Sequence, residues 1–116
     1  MLIKKMNFIK YLEIKKNLAS NWFKNLQNAF CDDILKFENN KAHFKSSNWK
    51  KNNTKDEGGG EYKILQNGKV FEKVGVNFSE VYGKFPKQLQ KNIPGAQKDP
   101  RFWASGISVV MHMKNP

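Results

Sequence analysis

The chain has 116 residues, enough for one small domain or a part of a larger one and too few for two. Hydrophobic residues at 39% and aromatic residues at 13% can furnish a core, and charged residues at 27% are near the globular norm, which excludes wholesale disorder. Twenty-one basic against ten acidic side chains give a formal charge of +11, but every basic residue except Arg101 is a lysine. Lysine lacks the planar, bidentate guanidinium that nucleic-acid contacts lean on, so the charge reads as solvated surface rather than a nucleic-acid interface. An anionic small molecule remains open as a partner. A lone cysteine, Cys31, excludes an internal disulfide and any multi-cysteine metal site, and it points to a reducing compartment, with the cytoplasm as the expectation.

The start, Met1 to Met6, is basic, but Lys10, Glu13 and Lys15 break up the next apolar stretch, so it does not read as a signal peptide. No run of ~18 apolar residues predicts a membrane span. From Leu18 the residues Leu18, Trp22, Leu26, Ala29, Phe30, Ile34 and Phe37 recur at spacings of three and four. This predicts a helix over about 7–38, its apolar stripe turned to the core and its end at Asn39-Asn40. A strand is expected over about 42–49, followed by a loop from Lys50 to Gly60. The Gly58-Gly59-Gly60 run has neither P-loop nor dinucleotide-turn spacing.

Next comes a strand over about 61–66, then Asn67-Gly68, then a strand over about 69–82. Asn-Gly between two β-rich runs predicts a hairpin with a type I′ turn. On the second arm Val70, Val74, Val76 and Phe78 share one face by period two, with Glu72 interrupting; Lys73, Gly75, Asn77 and Ser79 share the other. Pro86, Pro94 and Pro100 mark a surface connection with at most one helical turn near Lys87–Lys91. A last strand is expected over about 102–113. It puts Trp103, Ile107, Val109, Met111 and Met113 on one face, and Ala104, Gly106, Ser108, Val110 and His112 on the other. The fold class is therefore α+β, a helix followed by an antiparallel β-meander. A sheet face lined by Gly, Ser and His leaves room beside polar groups, as a ligand site requires.

His112 is open to three readings, as general acid or base, metal ligand or structural imidazole; only His43 could join it, and no HxH or HxxxH spacing exists. Ser108 lacks the G-x-S-x-G context of a nucleophile and reads as a hydrogen-bond donor to a ligand. Cys31 lies on the helix without a paired base and reads as a buried thiol.

Four blocks carry a resemblance: Gly58-Gly59-Gly60 with Ile64-Leu65-Gln66-Asn67-Gly68; Val70-Phe71-Glu72-Lys73-Val74-Gly75-Val76-Asn77; Gly83; and Gly106-Ile107-Ser108-Val109-Val110-Met111-His112-Met113-Lys114-Asn115-Pro116. In order, spacing and content the chain resembles the N-terminal part of the oxygen-dependent coproporphyrinogen oxidase family. That implies an oxidoreductase of haem biosynthesis converting coproporphyrinogen III, a tetracarboxylate, to protoporphyrinogen IX by oxidative decarboxylation of two propionates. Molecular oxygen is then the co-substrate and no organic cofactor is expected, with a divalent metal left open. The implied fold is a large flat antiparallel sheet covered by helices, in a soluble cytoplasmic homodimer. By resemblance Ser108 contacts substrate, His112 is a candidate metal ligand, and the segment Val70 to Ser79, including Phe78, makes dimer contacts.

Met113 stands where the family usually has proline, and three glycines stand where a fourth is common. The family's proton-donor histidine and its Asn/Arg substrate contacts come after the segment that ends at Pro116, so no catalytic residue is expected within this chain. The expectation is a truncated part without activity alone. The alternative is a non-enzymatic remnant that binds porphyrinogen or a complementary C-terminal fragment.

Overall fold

The computed structural model describes residues 2–116. A long helix, α1 (Leu2–Leu35), leads into four strands: β1 (Lys45–Lys50), β2 (Gly58–Gln66), β3 (Phe71–Lys84) and β4 (Arg101–Met113). A single turn, α2 (Lys87–Gln90), lies in the proline-punctuated connection before β4. The strands form one open antiparallel sheet in the order β1-β2-β3-β4, so the α+β meander expected from the sequence is the fold.

The core lies where α1 crosses one face of the sheet. Cys31 and Ile34 of α1 pack against Leu65 of β2 and Val74 and Val76 of β3, with Phe30, Phe44, Phe71 and Val109 around them. Val74, Val76 and Phe78 alternate on the buried face as period two requires. A bulge between Phe71 and Lys73 inserts Glu72, so Phe71, and not Val70, joins that side.

The helix stripe is a correction. Phe30 and Ile34 do pack on the sheet, but Leu18 and Trp22 are 65% and 62% exposed, and Phe37, beyond the helix, is 64% exposed. The face turned to the sheet carries Ser20, Gln27 and Cys31 instead, all buried. At 100° per residue, Leu18 and Trp22 lie on roughly the opposite side of the helix from Ser20 and Gln27. Hydrogen bonding explains the choice. Gln27 Nε2 donates to the carbonyls of Glu61 (2.9 Å) and Val76 (3.0 Å), and the Ser20 hydroxyl donates to the Glu80 carboxylate. Polar side chains thus bind α1 to backbone and side-chain acceptors of the sheet at no cost in unpaired groups. Residues 2–15 project past the sheet with every side chain exposed, which gives the molecule its 59 Å long axis.

The helix unwinds through i→i−3 bonds at Lys36, Phe37 and Glu38, four residues before Asn40. The loop expected over Lys50–Gly60 is shorter, because Gly58-Gly59-Gly60 begin β2. Gly60 faces the Trp49 indole, and a Cβ there would sit 2.8 Å from Trp49 Cζ2. Within the remaining loop the Asn52 side-chain carbonyl accepts from the Thr54 N–H and hydroxyl, both 2.9 Å.

The hairpin between β2 and β3 forms, but its tip is not at Asn67-Gly68. Asn67 alone has positive φ (55°), and the N–H groups of Asn67 and Gly68 donate to Glu72 and Phe71. That moves the tip to Lys69-Val70. There the Glu38 carboxylate accepts the N–H groups of Lys69, Val70 (3.1 Å) and Phe71 (2.9 Å). A Cβ on Gly68 would lie 2.6 Å from Glu38 Oε1, so a larger residue there would have to displace the carboxylate.

Candidate functional site

The face of the sheet turned away from α1 carries the candidate residues. Register places Ser108 of β4 directly beside Asn77 of β3, and Asn77 beside Tyr62 of β2. Neighbouring rows pair Ser79 with Gly106 and Gly75 with Val110. The glycines keep this face low around Ser108, while Trp49 lies over Gly60 and donates its Nε1–H to Asn77 Oδ1 at 3.2 Å. Ser108 is exposed, and its hydroxyl has no partner among the described residues. Its hydroxyl is therefore free both to donate and to accept on this face.

His112 is on the same face and exposed. Four residues of strand separate it from Ser108, which is about 13 Å. The two share a surface without touching. Opposite His112 stands Lys73, so this end of the face presents an imidazole and an ammonium together, a pairing suited to a carboxylate. His43 precedes β1 at the far edge of the sheet and does not approach His112; its Nδ1 is 3.3 Å from the Lys41 carbonyl. Among the described residues no three His, Cys, Asp or Glu side chains converge to hold a metal ion.

The segment Val70 to Ser79 divides between two sides. Val74, Val76 and Phe78 are buried beneath α1, whereas Lys73, Gly75, Asn77 and Ser79 face away from it. Tyr62 and Trp49, and the placing of Asn77 beside Ser108, are what sequence reasoning missed. Their signal was the cross-strand register, which a single strand's alternation does not contain.

Elsewhere the titratable groups are structural. Burial pushes the Cys31 thiol above its ordinary value, with Lys63 pulling against it, as befits an inert thiol. The Tyr82 hydroxyl donates to Asp56 at 2.5 Å, which, with the Gly58 N–H, holds that carboxyl below the usual range. For Glu38, partial desolvation pushes upward, but the N–H groups of Phe71, Lys69 and Val70 outweigh it, and the net direction is down.

Residues 18–116 match the family model of coproporphyrinogen III oxidase. The chain belongs to the coproporphyrinogen III oxidase family. An oxygen-dependent coproporphyrinogen-III oxidase of Rickettsia felis is 41% identical over 109 residues, covering 87% of this chain and 38% of its own length. Its counterpart in Rickettsia bellii is 43% identical over 112 residues, covering 88% of this chain and 39% of its own. The chain thus spans under two-fifths of the length of these relatives. The family is one of oxidoreductases that act in haem biosynthesis with molecular oxygen as co-substrate. No helix among the described residues is long and apolar enough to cross a membrane.

Proposed function

We propose that this chain supplies a substrate-bearing wall for the oxidative decarboxylation of coproporphyrinogen III to protoporphyrinogen IX. In that reaction each of two propionates loses its carboxyl as CO2 and a hydrogen with its electron pair, leaving a vinyl group, and O2 takes up the electrons. The observation that carries the reading is the match over residues 18–116 together with an unpartnered Ser108 on a low, exposed sheet face.

The geometry suggests the roles. A bulky tetrapyrrole macrocycle approaches a sheet closely only where side chains are short, and Gly75, Gly106 and Ser108 provide such a patch. Ser108 donates a hydrogen bond to a substrate carboxylate. Lys73 and His112, about 13 Å along the sheet, suit a second carboxylate on the same molecule. No residue of the chain is assigned to the breaking C–C bond. In the same reading the protein is a cytoplasmic homodimer whose contacts are drawn from the Val70 to Ser79 segment. The outer edge of β4 is unpaired among the described residues.

Anaerobic titration of coproporphyrinogen III into the chain tests this. Ser108→Ala removes one donor on a solvated face, worth about 1 kcal/mol or roughly fivefold in Kd, with no change in unfolding. Binding that Ser108→Ala leaves untouched would count against the assignment.

A further inference from the structure

The helix covers its face of the sheet incompletely. Beside β1 and β2, α1 stands off and leaves a cavity of about 700 Å³ between its Lys24–Asn28 turn, the β1–β2 loop and the Gly58-Gly59-Gly60 backbone. This is the volume of a small-molecule site. It lies on the side of the sheet opposite Ser108 and His112, because Asn48, Glu61 and Phe78 line it from the α1 side.

Three carboxylates and three ammonium groups line the cavity, so its formal charges balance, but the two sets differ in what they are bonded to. Each carboxylate is already engaged. Glu80 accepts from Ser20; Glu61 accepts from Ser46 at 2.8 Å and has Lys63 at 3.9 Å; Asp56 accepts from Tyr82. The lysines are not engaged in the same way. Lys24, Lys50 and Lys55 form no ion pair within 4.0 Å among the described residues, and Lys24 Nζ rests 5.3 Å from the centre of the Phe78 ring. Asn28 uses its Oδ1 to accept from Lys63 at 2.6 Å, which leaves its amide N–H groups as donors. The ammonium groups and the Asn28 amide N–H groups are therefore the unpaired donors of this cavity, and charged donors of this kind are what an oxyanion requires.

We propose that this cavity is a binding site for a small polyanion bearing carboxylate or phosphate oxygens, held by Lys24, Lys50 and Lys55, separate from the face proposed for the porphyrinogen. Citrate and pyrophosphate serve as probes of the two oxyanion sources, titrated calorimetrically into the 116-residue chain. Saturable binding of either is expected, and the tighter of the two names the source. The triple variant Lys24→Gln, Lys50→Gln, Lys55→Gln should weaken it about tenfold, each partly exposed contact contributing about 0.5 kcal/mol. An equally discharged control, Lys4→Gln, Lys5→Gln, Lys10→Gln, should leave it unchanged. Equal losses in both variants would reduce the effect to diffuse charge and overturn the proposal, as would no saturable binding up to low millimolar probe. Amide NMR of the unaltered chain decides independently of whether the variants fold. Gly58, Gly59 and Gly60 should shift on citrate or pyrophosphate addition while Gly75 and Gly106 stay; the reverse pattern would overturn the assignment.

Discussion

The two faces of β3 obey different rules. Toward α1, Val74 and Val76 are wholly buried and Phe78 nearly so, within a seam where even the polar side chains Ser20 and Gln27 have lost solvent and found partners. On the other side Lys73, Gly75, Asn77 and Ser79 form a low surface on which a hydroxyl and an imidazole remain free. β3 therefore carries buried packing on one set of alternate residues and an accessible polar surface on the other. A substitution's effect should depend on which side it falls rather than on where it falls in the sequence.

The sharpest break of that contrast is a charge. Val76→Asp puts an unpaired carboxylate into the seam and should cost about 4 kcal/mol, while Ser108→Asp on the open face should shift urea unfolding by less than about 0.5 kcal/mol. Next is Gln27→Leu, which removes two donors from sheet carbonyls and should cost about 2 kcal/mol by the same measurement. Glu38→Gln weakens the clasp on the hairpin and should cost about 1 kcal/mol. The pH dependence separates that variant further. Because the folded-state Glu38 is depressed, its contribution is present above the unfolded-state value of about 4.3 and is lost as pH falls through the lower folded-state one. Acid unfolding of Glu38→Gln should be correspondingly flatter in that window. The smallest effect belongs to Leu18→Ser and Trp22→Ser, which lie on the outer side of α1 and should stay within about 0.5 kcal/mol despite removing large apolar groups.

Much of this was legible in the sequence, and the misses share a cause. Alternation along one strand sufficed to bury Val74, Val76 and Phe78 and to put Ser108 and His112 on a common face, because side-chain direction in a strand is a local property. The helix face was not legible from its apolar spacing. Ser20 and Gln27 are buried only because acceptors on β2 and β3, 34 to 60 residues away, are waiting for them. The hairpin tip failed likewise: Asn67-Gly68 carries its own turn signal, yet Glu38 captures the N–H groups of Lys69, Val70 and Phe71 instead. The Asn77–Ser108 row needed the register between strands, which the Glu72 bulge helps to set.

The Glu38 clasp also bears on the order in which the chain folds. A turn of Asn-Gly type closes by itself on the microsecond scale, but this one draws its hydrogen-bond acceptor from a residue 31 to 33 positions upstream. The Glu38 bonds that finish the β2–β3 tip can therefore form only once the C-terminal end of α1 has come to rest on the sheet, which ties the last part of a local turn to a long-range event. The expectation is that helix docking and the closing of the tip occur in one kinetic step. The destabilisation from Glu38→Gln should then appear in the folding rate and the unfolding rate in the same proportion as that from Gln27→Leu.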